Sequence, residues 1–240
     1  MKSIIKAELL KQKHTFHNKL VWFAPIITIL IAFLLMGGAY VEKGAYNWWY
    51  ILILPGTVTM ISSFIIVNEK KRKFNGLFTI LIDIKKLWYG KIIVSTIYLA
   101  LTCLTFFFSI TISGVILGRE ISIINSLTAS ILLFVLFLWQ IPLWMFMSMK
   151  INTGFSVILS VILNFGFAAI CAIGSLWWIP FAIPARAMVT ILGIMPNGLN
   201  VESGSNLINT NIIPIGIIIS LGLYLALSYF LAKRFENQEV

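Results

Sequence analysis

The run LVWFAPIITILIAFLLMGGAY occupies residues 20–40 and contains no charged side chain. A helix of about 20 apolar residues is long enough to cross the hydrocarbon core of a bilayer. The apolar segment of a cleavable signal peptide is shorter, about 7–15 residues, so this run favours a first membrane span that stays in the protein. The stretch therefore predicts a membrane-spanning fold.

The composition of the whole chain supports a membrane protein. Of its 240 residues, 60% are hydrophobic and 11% are charged, whereas soluble domains have about 45–50% and about 25%. These values exclude a disordered chain, a disulfide-rich secreted scaffold and an ordinary cytosolic enzyme. We predict an all-α integral membrane protein in which residues 1–240 form one transmembrane domain.

Apolar runs beyond the first one are also long enough to cross a bilayer. They are separated by polar or charged connections, and tryptophans lie near several of their ends, as aromatic residues at membrane interfaces do. The chain is therefore expected to cross the membrane six times. The predicted spans are 20–40, 48–67, 92–117, 127–149, 154–177 and 212–232.

Residues 1–19 precede the first span and carry five lysines. Ile5, Leu9, Phe16 and Leu20 fall near one face of a helix. A basic segment with one apolar face is typical of an amphipathic helix that lies on the membrane surface. We therefore predict an interfacial helix before the first span.

Residues 178–211 lie between predicted spans 5 and 6 and contain Pro180, Pro184 and Arg186. Proline interrupts a helix, and an arginine near the bilayer centre costs at least about 2.5–3.5 kcal/mol. A seventh span would also place Lys233 on the outer side, against the charge bias of the loops. We expect short helices that lie on the outer interface or re-enter it, followed by an exposed loop.

The basic residues are distributed unequally between the two sides of the predicted spans. One side carries fifteen of the eighteen lysines and arginines, and the other carries Lys43, Arg119 and Arg186. Basic loops favour the cytoplasmic side, so both termini are expected in the cytoplasm. Because the basic residues flank apolar runs and form no separate domain, the net charge of +10 does not indicate nucleic-acid binding.

The predicted spans lack the side chains that membrane enzymes and proton pumps use. All eight acidic residues and both histidines fall outside them, which argues against proton transport by this chain alone. The sequence has no metal-ligand spacing, no G-x-S-x-G elbow and no G-x-x-x-x-G-K-[ST] phosphate loop. No catalytic residue, metal or cofactor is therefore expected.

Four polar side chains inside the predicted spans have two interpretations. Gln140, Asn164, Thr105 and Ser109 are uncharged groups in apolar surroundings. Such amides and hydroxyls commonly bridge neighbouring helices, for about 1 kcal/mol each, and bridging is the simpler interpretation. The same groups could also line a translocation path for a substrate.

Residues 68–91 connect the second and third predicted spans on the predicted cytoplasmic side. They open with a basic cluster, which suits contact with anionic lipid headgroups. A short amphipathic helix follows, because its apolar residues recur at helical spacing along one stripe. The stripe consists of Leu77, Phe78, Leu81 and Ile82.

Asp83 follows this stripe and is placed to cap a second helix that leads into the third span. A carboxylate at the start of a helix accepts hydrogen bonds from free backbone N–H groups. The apolar stripe itself has two interpretations: it lies on the lipid surface, or a soluble partner binds it. The second interpretation makes residues 68–91 a candidate functional site.

These features together resemble the permease subunits of ABC-2 type transporters. The shared features are a basic N-terminal helix, six spans, a loop after span 2 that begins with Glu69, and proline-bearing helices before span 6. Within that group the chain is similar to the lantibiotic self-immunity permeases of Gram-positive bacteria. The similar stretches are ELLKQKHTF at residues 8–16 and the run from Glu69 to WYGK at residues 88–91. Loops of that group often have proline where this chain has Ile82.

The resemblance implies a separate ATP-binding subunit that docks beneath residues 75–86 and moves the permease through the short helix of the loop. It also implies a second permease chain, identical or related, and a location in the bacterial plasma membrane, in contact with lipid. The implied substrate is a lantibiotic or a similar hydrophobic, cationic peptide. The residues implied in coupling to the ATPase are Glu69, Asn75, Gly76, Leu77, Phe78, Leu81, Ile82, Asp83 and Lys86.

Two other functions fit the same sequence. The chain could be a membrane sensor or assembly factor that transports nothing and uses the loop to bind another partner. It could also be an ABC-2 permease for a different hydrophobic substrate. An ATP-binding protein encoded beside the chain, or recovered with it in mild detergent, would favour transport.

Overall fold

The computed structural model describes residues 1–13, 15–71, 83–202 and 204–236. These residues are mainly helical, and an isolated bridge between Ile194 and Asn200 is the only strand-like pairing among them. Five helices are long and apolar enough to cross a membrane, and one bent pair of helices gives a sixth span. The predicted all-α membrane fold is confirmed.

The helices are numbered here along the chain. A 3-10 turn, Gly38–Tyr40, precedes α3, and a π-helical turn, Trp49–Ile53, joins α3 to α4 in one continuous span. The helices are α1 Lys2–Gln12, α2 Phe16–Met36, α3 Val41–Trp48, α4 Leu54–Lys71, α5 Ile84–Leu117, α6 Ile123–Phe137, α7 Gln140–Lys150, α8 Thr153–Cys171, α9 Ile183–Leu192 and α10 Ile212–Glu236.

Several boundaries differ from the predicted ones for identifiable reasons. The first span ends at Met36 rather than residue 40, because Gly37 has a φ of 73° and this left-handed conformation ends a helix. The second span starts at Val41 rather than residue 48, so Glu42 lies inside it. The expectation that all acidic residues fall outside the spans was therefore wrong for Glu42, and the last candidate span also ends on an acidic residue, Glu236.

The N-terminal segment also differs from one continuous amphipathic helix over residues 1–19. Helix α1 ends at Gln12, and Phe16 already belongs to α2. Ile5 and Leu9 pack against a buried cluster contributed by α2, α4 and α5. Helix α1 is therefore docked on the bundle through part of the apolar face that the sequence indicates.

The fourth span is bent by 45° between α6 and α7. Pro142 lies in the first turn of α7, where its missing N–H donor is tolerated. Without that N–H, Pro142 cannot donate the hydrogen bond that would continue a regular helix across the break. Trp139 sits at this bend and is buried. Regular helical hydrogen bonding is therefore interrupted in the middle of the fourth span.

Helix α9 and the turns before it lie among the spans. The ring of Phe181 packs on Trp139 with centroids 4.8 Å apart, at the bend of the fourth span. A methyl group added at Gly216 of α10 would overlap Ile183, so the start of α9 also approaches α10 closely. The chain then returns to the end of the bundle near Asn47, whose amide donates to the carbonyls of residues 195 and 196.

A buried polar network joins three helices near the bend. The Gln140 and Asn164 amides bond to each other at 2.9 and 3.2 Å. The indole of Trp144 donates to the Gln140 Oε1 at 3.1 Å, and the Ser160 hydroxyl donates to the carbonyl of Pro55 at 3.3 Å. These bonds connect α4, α7 and α8. Gln140 and Asn164 therefore bridge neighbouring helices.

Replacing Asn164 with leucine should destabilise the protein by about 1–3 kcal/mol, because the Gln140 amide would be buried without its partner. Gln140→Leu in the same background should restore part of this loss, as expected for directly coupled residues. Thermal melting in mild detergent checks both. Thr105→Val is the control, since that hydroxyl donates to Leu101 of its own helix. Equal losses from Asn164→Leu and Thr105→Val would contradict the bridging role.

Candidate functional site at the basic end of the bundle

Four helix ends meet at one end of the bundle: α1, the end of α4, the start of α5 and the end of α10. We call this region the basic end, because the lysines of α1, Lys85, Lys86, Lys91 and the Lys233–Arg234 pair lie there. It adjoins residues 72–82, which lie outside the described residues. Contacts among these helix ends hold the chain on either side of that segment.

Asp83 caps the start of α5, as the sequence predicts. Its Oδ1 accepts hydrogen bonds from the backbone amides of Lys85 at 3.0 Å and Lys86 at 3.4 Å. Slight desolvation raises the pKa of the Asp83 carboxyl, but these amide bonds and the Lys86 ammonium at 3.5 Å outweigh it. The pKa therefore lies below its usual value, and the carboxylate fixes where α5 begins.

A buried ion pair connects α1 to α5. The Lys91 ammonium contacts the Glu8 Oε2 at 2.7 Å, and their side chains are 0% and 2% exposed. The same ammonium donates to the carbonyl of Ile65 in α4 at 3.3 Å, and Lys11 bonds to the other oxygen of Glu8 at 2.8 Å. One lysine of α5 thus holds α1 and α4 together.

Gly90 allows α1 to approach α5 closely enough for that ion pair. A methyl group at this position would overlap the Ile4 side chain of α1. Gly90 and Lys91 end the WYGK stretch, and Glu8 opens the ELLKQKHTF stretch. The two segments that carry the family resemblance therefore contact each other directly.

The end of α10 is attached to the same turn of α5. Lys85 and Glu236 form an ion pair at 2.9 Å on the surface. Beneath it the rings of Trp88 and Phe235 pack with centroids 5.0 Å apart, and both are buried. The first two turns of α5 therefore contact α1, α4 and α10, so that a displacement of the segment before Asp83 would be transmitted to three helices.

The predicted coupling residues fall into two groups. Asp83 and Lys86 lie at the start of α5, and Glu69 lies near the end of α4. The remaining predicted residues lie outside the described residues and stay predictions. They are Asn75, Gly76, Leu77, Phe78, Leu81 and Ile82.

The predicted path residues do not come together in one place. Gln140 and Asn164 form the buried network near the bend. Thr105 and Ser109 instead line a groove of about 670 Å³ between α2 and α5, beside apolar side chains such as Trp22. The groove opens on the outside of the bundle, where Trp22 is exposed. Whether any of these residues contacts a substrate stays a prediction.

At the opposite end of the bundle, the carboxylate of Glu42 closes the turn after α5. Its Oε2 accepts hydrogen bonds from the backbone amides of Glu120 at 2.6 Å and Ile121 at 2.7 Å. Gly114 leaves the room for it, since a methyl group there would overlap the carboxylate. Among the described residues no cluster of His, Cys, Asp and Glu could hold a metal ion.

Sequence patterns did not identify the partners of these buried charges. Glu8 and Lys91 are 83 positions apart, and only the packing of α1 on α5 brings them together. The signal available in the sequence was their presence in the two stretches that carry the family resemblance. The sequence predicts that Arg186 lies in a segment on or re-entering the outer interface, but it does not predict that the side chain is buried within α9.

Glu8→Gln should destabilise the protein by about 3–5 kcal/mol, because it removes the carboxylate that faces the buried Lys91 ammonium at 2.7 Å. For a chain of this size that corresponds to a fall in melting temperature of roughly 6–20 °C. Glu236→Gln is the matched control, and this exposed pair should contribute at most about 1 kcal/mol. Similar melting temperatures for both variants in detergent would contradict a structural role for the buried pair.

Comparison with known proteins places the chain in a family. A family model described as "ABC-2 family transporter protein" matches residues 4–167. That range includes most of α1, the end of α4 and the first two turns of α5, three of the four helix ends that form the basic end. Searches of the curated proteins and of the solved structures found no match. The chain belongs to the ABC-2 family of transporter proteins.

Proposed function

We propose that the chain is the permease subunit of an ATP-driven exporter that expels a lantibiotic or a similar membrane-active peptide, as a self-immunity device. The family supports a membrane subunit that works with separate ATP-binding subunits. The lantibiotic substrate and the immunity role rest on the sequence resemblance. A hydrophobic, cationic peptide is the substrate class proposed.

The observation that carries the coupling part of this proposal is the set of contacts made by the first two turns of α5. In the proposed mechanism an ATP-binding subunit binds residues 75–86 and moves them when it closes on ATP. Lys85, Trp88 and Lys91 then pass that movement to α10, α1 and α4 through the contacts described. Rigid, packed elements of this kind transmit a displacement without a chemical step of their own.

We further propose that the basic end faces the cytoplasm, with both termini on that side of the plasma membrane. The excess of lysine and arginine at this end supports the orientation, because basic loops are retained inside. A second permease chain, identical or related, would complete the transporter. The groove that contains Thr105 and Ser109 is one candidate for the path along which a substrate leaves the membrane.

Polar replacement of the apolar stripe tests the coupling. The triple variant Leu77→Ser, Phe78→Ser and Leu81→Ser should still insert in the membrane but should no longer co-purify with the ATP-binding subunit, because the docking surface loses its apolar contacts. The measurement is the ratio of the two subunits after affinity purification in mild detergent.

The control for this experiment is Leu199→Ser with Ile208→Ser, since both side chains are exposed at the end of the bundle opposite to the basic end. This variant should keep the wild-type ratio. An unchanged ratio in the triple variant would reject the docking role of the stripe, even though family membership would be unaffected.

The immunity role predicts protection of cells. Co-expression of the chain with its ATP-binding subunit should raise the concentration of lantibiotic needed to stop growth, because the peptide is removed from the membrane. The triple variant should reduce protection to the level of cells that lack the transporter. Growth inhibition assays with several lantibiotics measure this. Absence of protection in every pairing would remove the immunity assignment.

A further inference from the structure

The buried charged side chains of the described residues differ in how they are compensated. Glu8 and Lys91 form an ion pair at 2.7 Å. Glu42 accepts hydrogen bonds from two backbone amides at 2.6 and 2.7 Å. Arg186 is also buried, with 7% exposure, and it differs from these three residues in its hydrogen bonding.

The Arg186 guanidinium lacks partners within the described part of the chain. Its Nε and Nη1 are fully buried and make no hydrogen bond there. A guanidinium cannot lose its charge under ordinary conditions, and an uncompensated buried charge is strongly unfavourable. The fold therefore holds a cation in a place where an anion would be stabilised.

The position of Arg186 in α9 adds to this positive potential. Arg186 lies in the first turn of the helix, which starts at Ile183, and that end of a helix carries a partial positive charge. The start of α9 contacts Gly216 and follows Phe181, which packs on Trp139 at the bend of the fourth span. The helix start therefore lies among the spans, where low polarity strengthens any interaction between charges.

Three acidic residues lie toward the end of the bundle opposite to the basic end, and each is engaged or exposed. Glu42 is bonded to backbone amides, and Glu120 lies 3.8 Å from the ammonium of Lys43. Glu202 is exposed. None of these carboxylates pairs with Arg186 in the described structure, so an anion from another molecule would supply a counter-charge.

We infer that Arg186 is a binding site for the anionic oxygen group, phosphate or carboxylate, of an amphiphilic molecule that enters the bundle from the membrane. The guanidinium presents several N–H donors in a planar fork that matches such groups. A cationic headgroup would be repelled at the same place. An apolar tail suits the site, because exposed apolar side chains, including Trp178 and Leu176, lie on the turns that precede α9.

The anionic group has two possible sources, a membrane phospholipid or a transported molecule. If it belongs to a transported molecule, the site would bind the carboxylate of the exported peptide, and that part rests on the proposed permease function. Binding itself is independent of the ATP-binding subunit. It can therefore be measured on the purified chain, and its failure is distinguishable from failure of the coupling proposal.

The experiment compares two single-chain amphiphiles on the purified protein in dodecyl maltoside. Dodecyl phosphate should raise the melting temperature of the wild type, because a ligand that binds the folded state stabilises it. Dodecyltrimethylammonium should not. Arg186→Gln should melt at least as high as wild type without ligand, since it removes an unpaired charge, and should lose the response to dodecyl phosphate.

Two further variants keep the outcome interpretable. Arg186→Lys retains the charge without the fork and should show a weaker but still selective response. Lys233→Gln removes an exposed cation and should respond like wild type. A response that is equal in wild type and Arg186→Gln, or an Arg186→Gln variant that melts lower without ligand, would overturn the inference.

A second arm identifies the source. Wild type and Arg186→Gln are each placed in nanodiscs of phosphatidylcholine alone or with added phosphatidylglycerol. A rise in melting temperature with phosphatidylglycerol that needs Arg186 supports a phospholipid ligand. A response to dodecyl phosphate that needs Arg186, with wild type and Arg186→Gln melting alike in both nanodiscs, supports a transported amphiphile, because phosphatidylcholine also carries a phosphate. If neither the response to dodecyl phosphate nor the response to phosphatidylglycerol depends on Arg186, the proposed site is wrong.

Discussion

The ion pair between Glu8 and Lys91 is the contact on which the basic end depends. Two charges with exposures of 2% and 0% are stable only while they face each other. The pair therefore fixes the distance and orientation between α1 and α5, and the bond from Lys91 to the carbonyl of Ile65 extends the constraint to α4. With the Lys85–Glu236 pair above it, this turn of α5 becomes the rigid base next to the proposed docking segment.

The sequence predicted the parts of this fold that depend on local physics. Long apolar runs mark the spans, and a carboxylate placed as Asp83 caps the helix that follows. It did not predict contacts between distant segments. Glu42 reads as a loop residue until the amides of residues 120 and 121 are seen to bond it, and the lack of a partner for Arg186 is a property of the packed structure alone. The stripe at residues 77–82 lies outside the described residues and stays a prediction.

The buried charged side chains and the amide pair inside the bundle follow one rule, to which Arg186 is the exception among the described residues. In an apolar surrounding a polar side chain is retained where a specific partner meets it, as Gln140 and Asn164 do. Arg186 departs from this rule within the described structure. The paired groups belong to the stable framework, whereas Arg186 is the residue at which we propose that another molecule binds. We therefore propose different tasks for the basic end and α9, movement at the first and recognition at the second.

Helix α5 connects the basic end to the turn that Glu42 closes at the opposite end of the bundle. With 34 residues at about 1.5 Å each, the helix is about 51 Å long, whereas the hydrocarbon core measures about 30 Å. The helix is therefore longer than the hydrocarbon core is thick. One end of α5 follows Asp83 beside the proposed docking segment, and the other lies near Gly114, where the Glu42 carboxylate bonds the following turn. If the docking segment moves as proposed, a small tilt at the Asp83 end of this helix would swing its far end against the turn that Glu42 closes.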